Sequence, residues 1–142
     1  MNRPMIKSGK LLSAVTPTAG AAGASNINGT IIDTAGFDGC LVAAHFGAIV
    51  GGAATSIKVQ VGDDSGLADA ADLAGSSVTV ADTDDDKVFY IDVQRSMKRY
   101  LRLVVLRATQ NATVAATYLL YDPHIEPVAQ AAAVTGASVV GA

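Results

Sequence analysis

Between Ile27 and Tyr121 the chain is cut into short apolar runs by Gly, Asp and Asn at intervals of about ten residues. An α/β fold would need repeated helices of ten or more residues between strands, and no such helical pattern appears. Ile27–Asp33 leads into the turn Thr34-Ala35-Gly36, and Asp38–Ala48 is apolar on both faces. After Gly51-Gly52, Thr55–Val61 alternates Ile57, Val59 and Val61 with Lys58 and Gln60. Ser77–Val80 reads as an edge strand, and Lys87–Val93, Arg99–Ala108 and Thr113–Tyr121 continue the series. Side chains of a strand alternate between its two faces, so this cadence predicts seven or eight strands, roughly one per punctuated run. The expected fold class is all-β, a β-sandwich or jelly roll with extended N- and C-terminal arms. Thr109-Gln110-Asn111-Ala112 has the length of a hairpin connection, which predicts that the strands flanking it pair. Leu67–Ala74 has helical spacing over barely two turns and is expected as a helical excursion within a loop.

Composition points the same way. Val leads the heavier apolar residues, and the chain holds a single Glu, Glu126, and no Trp. That is a poor stock for surface helices and a good one for pleated strands. A length of 142 residues suits one domain with a core of its own. The expected division is an N-terminal arm over 1–26, a sandwich domain over 27–127 and an uncharged C-terminal arm over 128–142. Within the first arm, Leu11–Val15 is a short strand candidate. The last arm, VAQAAAVTGASVVGA, reads either as a disordered terminus or as a segment that orders on a neighbouring subunit, with Val128, Val134, Val139 and Val140 as its contact candidates.

Net charge is −3, too small to imply a nucleic-acid or membrane partner. The N-terminus has no signal-peptide core, because Lys7 and Lys10 break its apolar run. No window reaches the apolar length of a membrane helix. A soluble protein made in the cytosol is expected. The lone Cys40 excludes an internal disulfide framework.

The inventory of reactive groups is thin. His45 sits inside an apolar strand, and His124 lies in a terminal loop. Cys40 and His45 are five residues apart, which puts them on opposite faces of one strand and argues against a thiolate–imidazole pair. The acidic run Asp82–Asp86 lacks the spacing, glycine and distal Glu of a calcium loop and reads as a solvated turn. No catalytic, cofactor-binding or metal-ligating set is expected, and no small-molecule substrate.

The best functional lead is basic. Acids outnumber bases about two to one as far as Gln94, after which Arg95, Lys98, Arg99, Arg102 and Arg107 face only Asp122 and Glu126. Within Arg99–Ala108, Arg99 and Arg107 share a face with Leu101, Leu103 and Val105, while Tyr100 and Arg102 share the other with Val104 and Leu106. Arginine among apolar residues suits a protein interface. Nucleic-acid binding would ask for more interleaved aromatics and a positive balance.

Three stretches carry a family likeness: IIDTAGFDGCLVAAHFGAI, VQVGDDSGLADAADLAG and KRYLRLVVLRATQNATVAATYLLYDPHIEPV. Over about Ile31–Val128 they resemble small structural proteins from the head-gene region of tailed bacteriophages and prophages, with Lys98, Arg99, Tyr100 and Arg102 as the most distinctive match. The resemblance implies a capsid decoration, or cement, protein on the virion surface. Its implied partners are the major capsid protein and further copies of itself, as a homodimer or homotrimer. The uncharged tail departs from the family pattern. A tail or head–tail connector protein is the first alternative. A carbohydrate-binding sandwich is the second, weakened by the absence of Trp.

Overall fold

The computed structural model describes residues 4–95, 98–108 and 112–141. Among them are ten strands, a single 3-10 turn at Met5–Lys7 and no α-helix. The strands form two antiparallel sheets packed face to face. In the four-stranded sheet the order is β1 (Lys10–Val15), β10 (Ala112–Pro123), β4 (Phe37–Ile49) and β8 (Val88–Gln94). The second sheet is built on β5 (Ala54–Gly62) paired with β9 (Tyr100–Ala108). The short strands β2 (Ile27–Asn28) and β3 (Ile32–Asp33) flank β9, and β6 (Ala71–Asp72) and β7 (Val78–Val80) flank β5. The all-β sandwich expected from the strand cadence is the fold observed.

The period-two pattern explains the core. Val42, Ala44 and Phe46 of β4 and Ala116, Tyr118 and Leu120 of β10 are buried from one side, and Ile57, Val59, Leu101, Leu103 and Val105 meet them from the other. Each large side chain so buried contributes about 1.5–3 kcal/mol. The one phenol in this layer is satisfied: the Tyr118 hydroxyl accepts from the Leu103 amide and donates to the Thr30 carbonyl.

Three expectations change in three dimensions. Arg99–Ala108 and Thr113–Tyr121 do not pair, because β9 and β10 belong to opposite sheets. Each turns its apolar set toward the other across the core, so the connection switches sheets. Thr109, Gln110 and Asn111, which were to form the hairpin turn, lie outside the described residues. Leu67–Ala74 is not helical. The Asp69 carboxylate accepts the amides of Asp63 and Asp64, and Asp64 accepts those of Gly66 and Ala68. Such bonds offer the backbone an alternative to helix, and the segment ends in β6 beside β5.

Ile27–Asp33 is broken into two strands at Gly29, where a Cβ would lie 2.8 Å from the Leu103 carbonyl oxygen. Within the stretch 1–26, the strand candidate Leu11–Val15 is found as part of β1. Lys10–Val15 pairs with β10 through a register shift between Ser13 and Val15, and Ala14 and Val15 are buried.

The C-terminal segment starts attached. The Val128 amide donates to the Lys7 carbonyl, and the Gln130 side chain donates to the carbonyls of Ile6 and Gly9 and accepts from the Leu11 amide. Beyond it, 131–141 holds no strand, and its own backbone bond is the turn from Val134 N to the Ala131 carbonyl.

Candidate interaction surface

The basic run is divided by the fold. Arg107, expected at a partner interface, is 5% exposed. Its guanidinium donates to the carbonyls of Ser25, Ala21 and Ala112 at 2.8 Å each, and its backbone amide donates to Asn26 Oδ1. Burial pulls its pKa down. Arg107 therefore ties the segment before β2 onto the end of the sandwich and is unavailable for a partner.

The exposed cations mostly find acids from the first half of the chain. Arg99 forms a two-point bond with Asp33, at 3.0 and 2.8 Å, and lies 5.4 Å from the centre of the half-buried Tyr100 ring. The Arg99 guanidinium holds the Asp33 carboxyl below its ordinary value. Lys98 is bonded to Asp63, which raises the lysine pKa. Arg102 donates twice to Gln60 Oε1, and Gln60 in turn donates to Asp72, which also binds Lys58. Arg95 is exposed at the end of β8 in a left-handed conformation, φ 51°, with its amide on the Asp38 carbonyl. The charge asymmetry along the sequence is thus largely cancelled in space.

The other sequence candidates are accounted for by structure. Cys40 is buried and its thiol is pushed up to about 12, while His45 faces outward on the same strand. His124 Nε2 meets Asp38 Oδ1 at 2.9 Å in the open. In the acidic turn, Asp82, Asp84 and Asp85 accept the amides of Gly52, Ala81 and Ile49. These carboxylates fasten loops. Among the described residues no three His, Cys, Asp or Glu side chains are grouped to hold a metal.

The feature that sequence reasoning missed is the contrast between the two outer sheet faces. The outer face of the six-stranded sheet carries the polar chain Lys58, Asp72, Gln60 and Arg102. On the four-stranded sheet, Leu11, Leu119 and Leu41 form one outward row, and Ser13, Thr117, Ala43 and Tyr90 form the next. Ala115, His45 and Val88 make a third. No lysine or arginine stands in these rows, and Asp92, at the end of the first, is engaged by the Tyr121 hydroxyl. Val88 and Tyr90 are 63% and 69% exposed.

Small side chains leave a trough of about 450 Å³ on this face, lined by Ser13, Ala43, His45, Val88, Ala115 and Thr117 among others. The signal was present in the sequence, since Asp38–Ala48 and Thr113–Tyr121 are apolar on both faces. Of the tail candidates, Val128 and Val134 are half-buried, whereas Val139 and Val140 are 58% and 84% exposed.

No protein-family model matches the chain, and no curated protein matches it in sequence. Among solved structures it is similar in fold to the crystal structure of the SPBc2 prophage-derived protein YomS. The TM-score is 0.50 at 16% sequence identity, with 78% of this chain and 92% of that chain covered.

Proposed function

We propose that the chain is a structural component of a bacteriophage virion, a capsid decoration protein. In this reading it binds the outer surface of the major capsid protein shell as a homodimer or homotrimer and stabilises the head. It catalyses no reaction and takes no cofactor, nucleic acid, membrane or small-molecule substrate. The observation that carries the reading is the largely apolar outer face of the four-stranded sheet, whose rows hold no lysine or arginine, next to an uncharged tail. Such surfaces suit work done by contact area. About 1,600 Å² buried in total makes a stable interface, and repetition over a shell multiplies modest contacts by avidity. The head-gene resemblance of the sequence agrees with it, as does the prophage origin of a protein of similar fold.

The test is the copy number in purified virions, measured by gel densitometry against the major capsid protein. A decoration protein should be present in numbers comparable with the shell subunits. A handful of copies would assign it to the tail or the head–tail connection, and absence from the particle would refute the reading.

A further inference from the structure

Four observations about the tail and the outer face belong together. Gln130, bonded to the Leu11 amide and to the Ile6 and Gly9 carbonyls, delivers the tail to the free edge of β1, at the rim of the apolar face. From there 131–141 carries no charge, pairs with no strand and holds Val139 and Val140 in solvent. The trough on the face is lined mostly by small side chains, with no Asp, Glu, Lys or Arg among them. The third observation is one of length. Eleven extended residues reach about 36–40 Å, whereas the four strands, spaced about 4.8 Å apart, are crossed in less than half that distance. The fourth is chemical: neither tail nor trough offers a carboxylate, ammonium or guanidinium that would be stripped of water on contact, so their union escapes the penalty that burying such an unpaired charge brings.

We propose that 131–141 of one copy lies in the trough on the four-stranded sheet of a second copy. In a two-fold pair the exchange is reciprocal, so each molecule gives a tail and receives one. Two tails on two faces double the buried area, toward the roughly 1,200–2,000 Å² of a stable dimer. The valines supply apolar area and the extended backbone bridges the molecules. This rests on the homo-oligomer part of the proposed function and deepens it by naming how the protein meets itself; its test needs no capsid, so attachment to the shell is decided separately by the copy number in virions.

The test uses two full-length variants with different tags. One carries Val139→Cys in the tail and the other Thr117→Cys in the trough. Cys40 is 2% exposed and adds little background. Mixed and oxidised with diamide, the pair should give a disulfide-linked heterodimer on a non-reducing gel. Replacing Thr117→Cys by Ser56→Cys, on the opposite sheet, should abolish it. In parallel, light scattering should find wild-type dimers, and Val139→Asp with Val140→Asp should weaken them about tenfold or more, a loss of at least about 1.4 kcal/mol. A wild-type monomer, or a double variant Thr117→Cys/Val139→Cys that links only within its own chain, would overturn the proposal.

Discussion

The hydroxyl of Tyr118, carried on β10 of the four-stranded sheet, lies 2.8 Å from the amide nitrogen of Leu103 on β9 of the other sheet. It accepts that N–H and donates to the Thr30 carbonyl at 2.8 Å, so one fully buried phenol joins both sheets and the loop between β2 and β3. Tyr118→Phe keeps the ring and leaves the buried Leu103 amide and the part-buried Thr30 carbonyl without this partner. The expected loss is about 1–3 kcal/mol, read as a lower urea midpoint at unchanged slope. Wild-type stability would mean the two groups find other partners.

Arg107 should behave as part of the core. Arg107→Lys keeps the charge but cannot direct donors to Ala21, Ser25 and Ala112 together. Its cost should be about 1.5–3 kcal/mol, the range for hydrogen bonds to charged groups. The segment 16–26 should become the first site of limited proteolysis. An Arg107→Lys protein with unaltered stability and cleavage pattern would place the residue back among the surface cations.

Thr55 is 3% exposed and its hydroxyl has no hydrogen-bond partner. Thr55→Val replaces that hydroxyl with a methyl group of similar size, removing a buried polar group that gains nothing from burial. Stability should rise by about 1 kcal/mol, visible as a higher melting temperature. Destabilisation would point to a bonded hydroxyl.

Acid should loosen the molecule through three aspartates. Asp33, bonded to Arg99, Asp69, bonded to the amides of Asp63 and Asp64, and Asp72, bonded to Lys58 and Gln60, all have pKa values below the ordinary 3.8. The folded state therefore holds these protons less tightly than the unfolded chain. Their stabilisation is complete above the unfolded value and fades as pH falls through the lowered folded values. All three side chains are accessible to solvent, so each effect is small and salt weakens it. Melting temperature should fall below about pH 4, and Asp69→Asn should flatten that slope. An unchanged slope in the variant would contradict the assignment.

How far the sequence discloses this fold depends on whether a feature is local. Ile57, Val59 and Val61 alternate with Lys58 and Gln60, and that pattern alone identifies β5 and its buried face. The parity of β9 likewise puts Arg107 on the same side as Leu101, Leu103 and Val105. What it withholds is the set of carbonyls, from Ala21, Ser25 and Ala112, that make an arginine acceptable there. The switch of sheets between β9 and β10 is equally hidden, since a short connection serves a hairpin or a crossing. Arg99 and Lys98 look like free cations until folding brings Asp33 and Asp63 beside them. The apolar outer face is the opposite case: its residues were visible in β4 and β10, but only the sheet order assembles them with Leu11 and Tyr90 into one surface.

Copies of a two-sheet sandwich repeated across the outside of a phage head would be the most direct demonstration of a role built on contact area. A cryo-electron microscopy reconstruction of particles with and without this protein makes that comparison. The expected difference is density of this fold at symmetry-related sites on the outer shell, and heads that lose their DNA more readily when it is missing. Identical head surfaces in the two maps, with the protein elsewhere or absent, would contradict it.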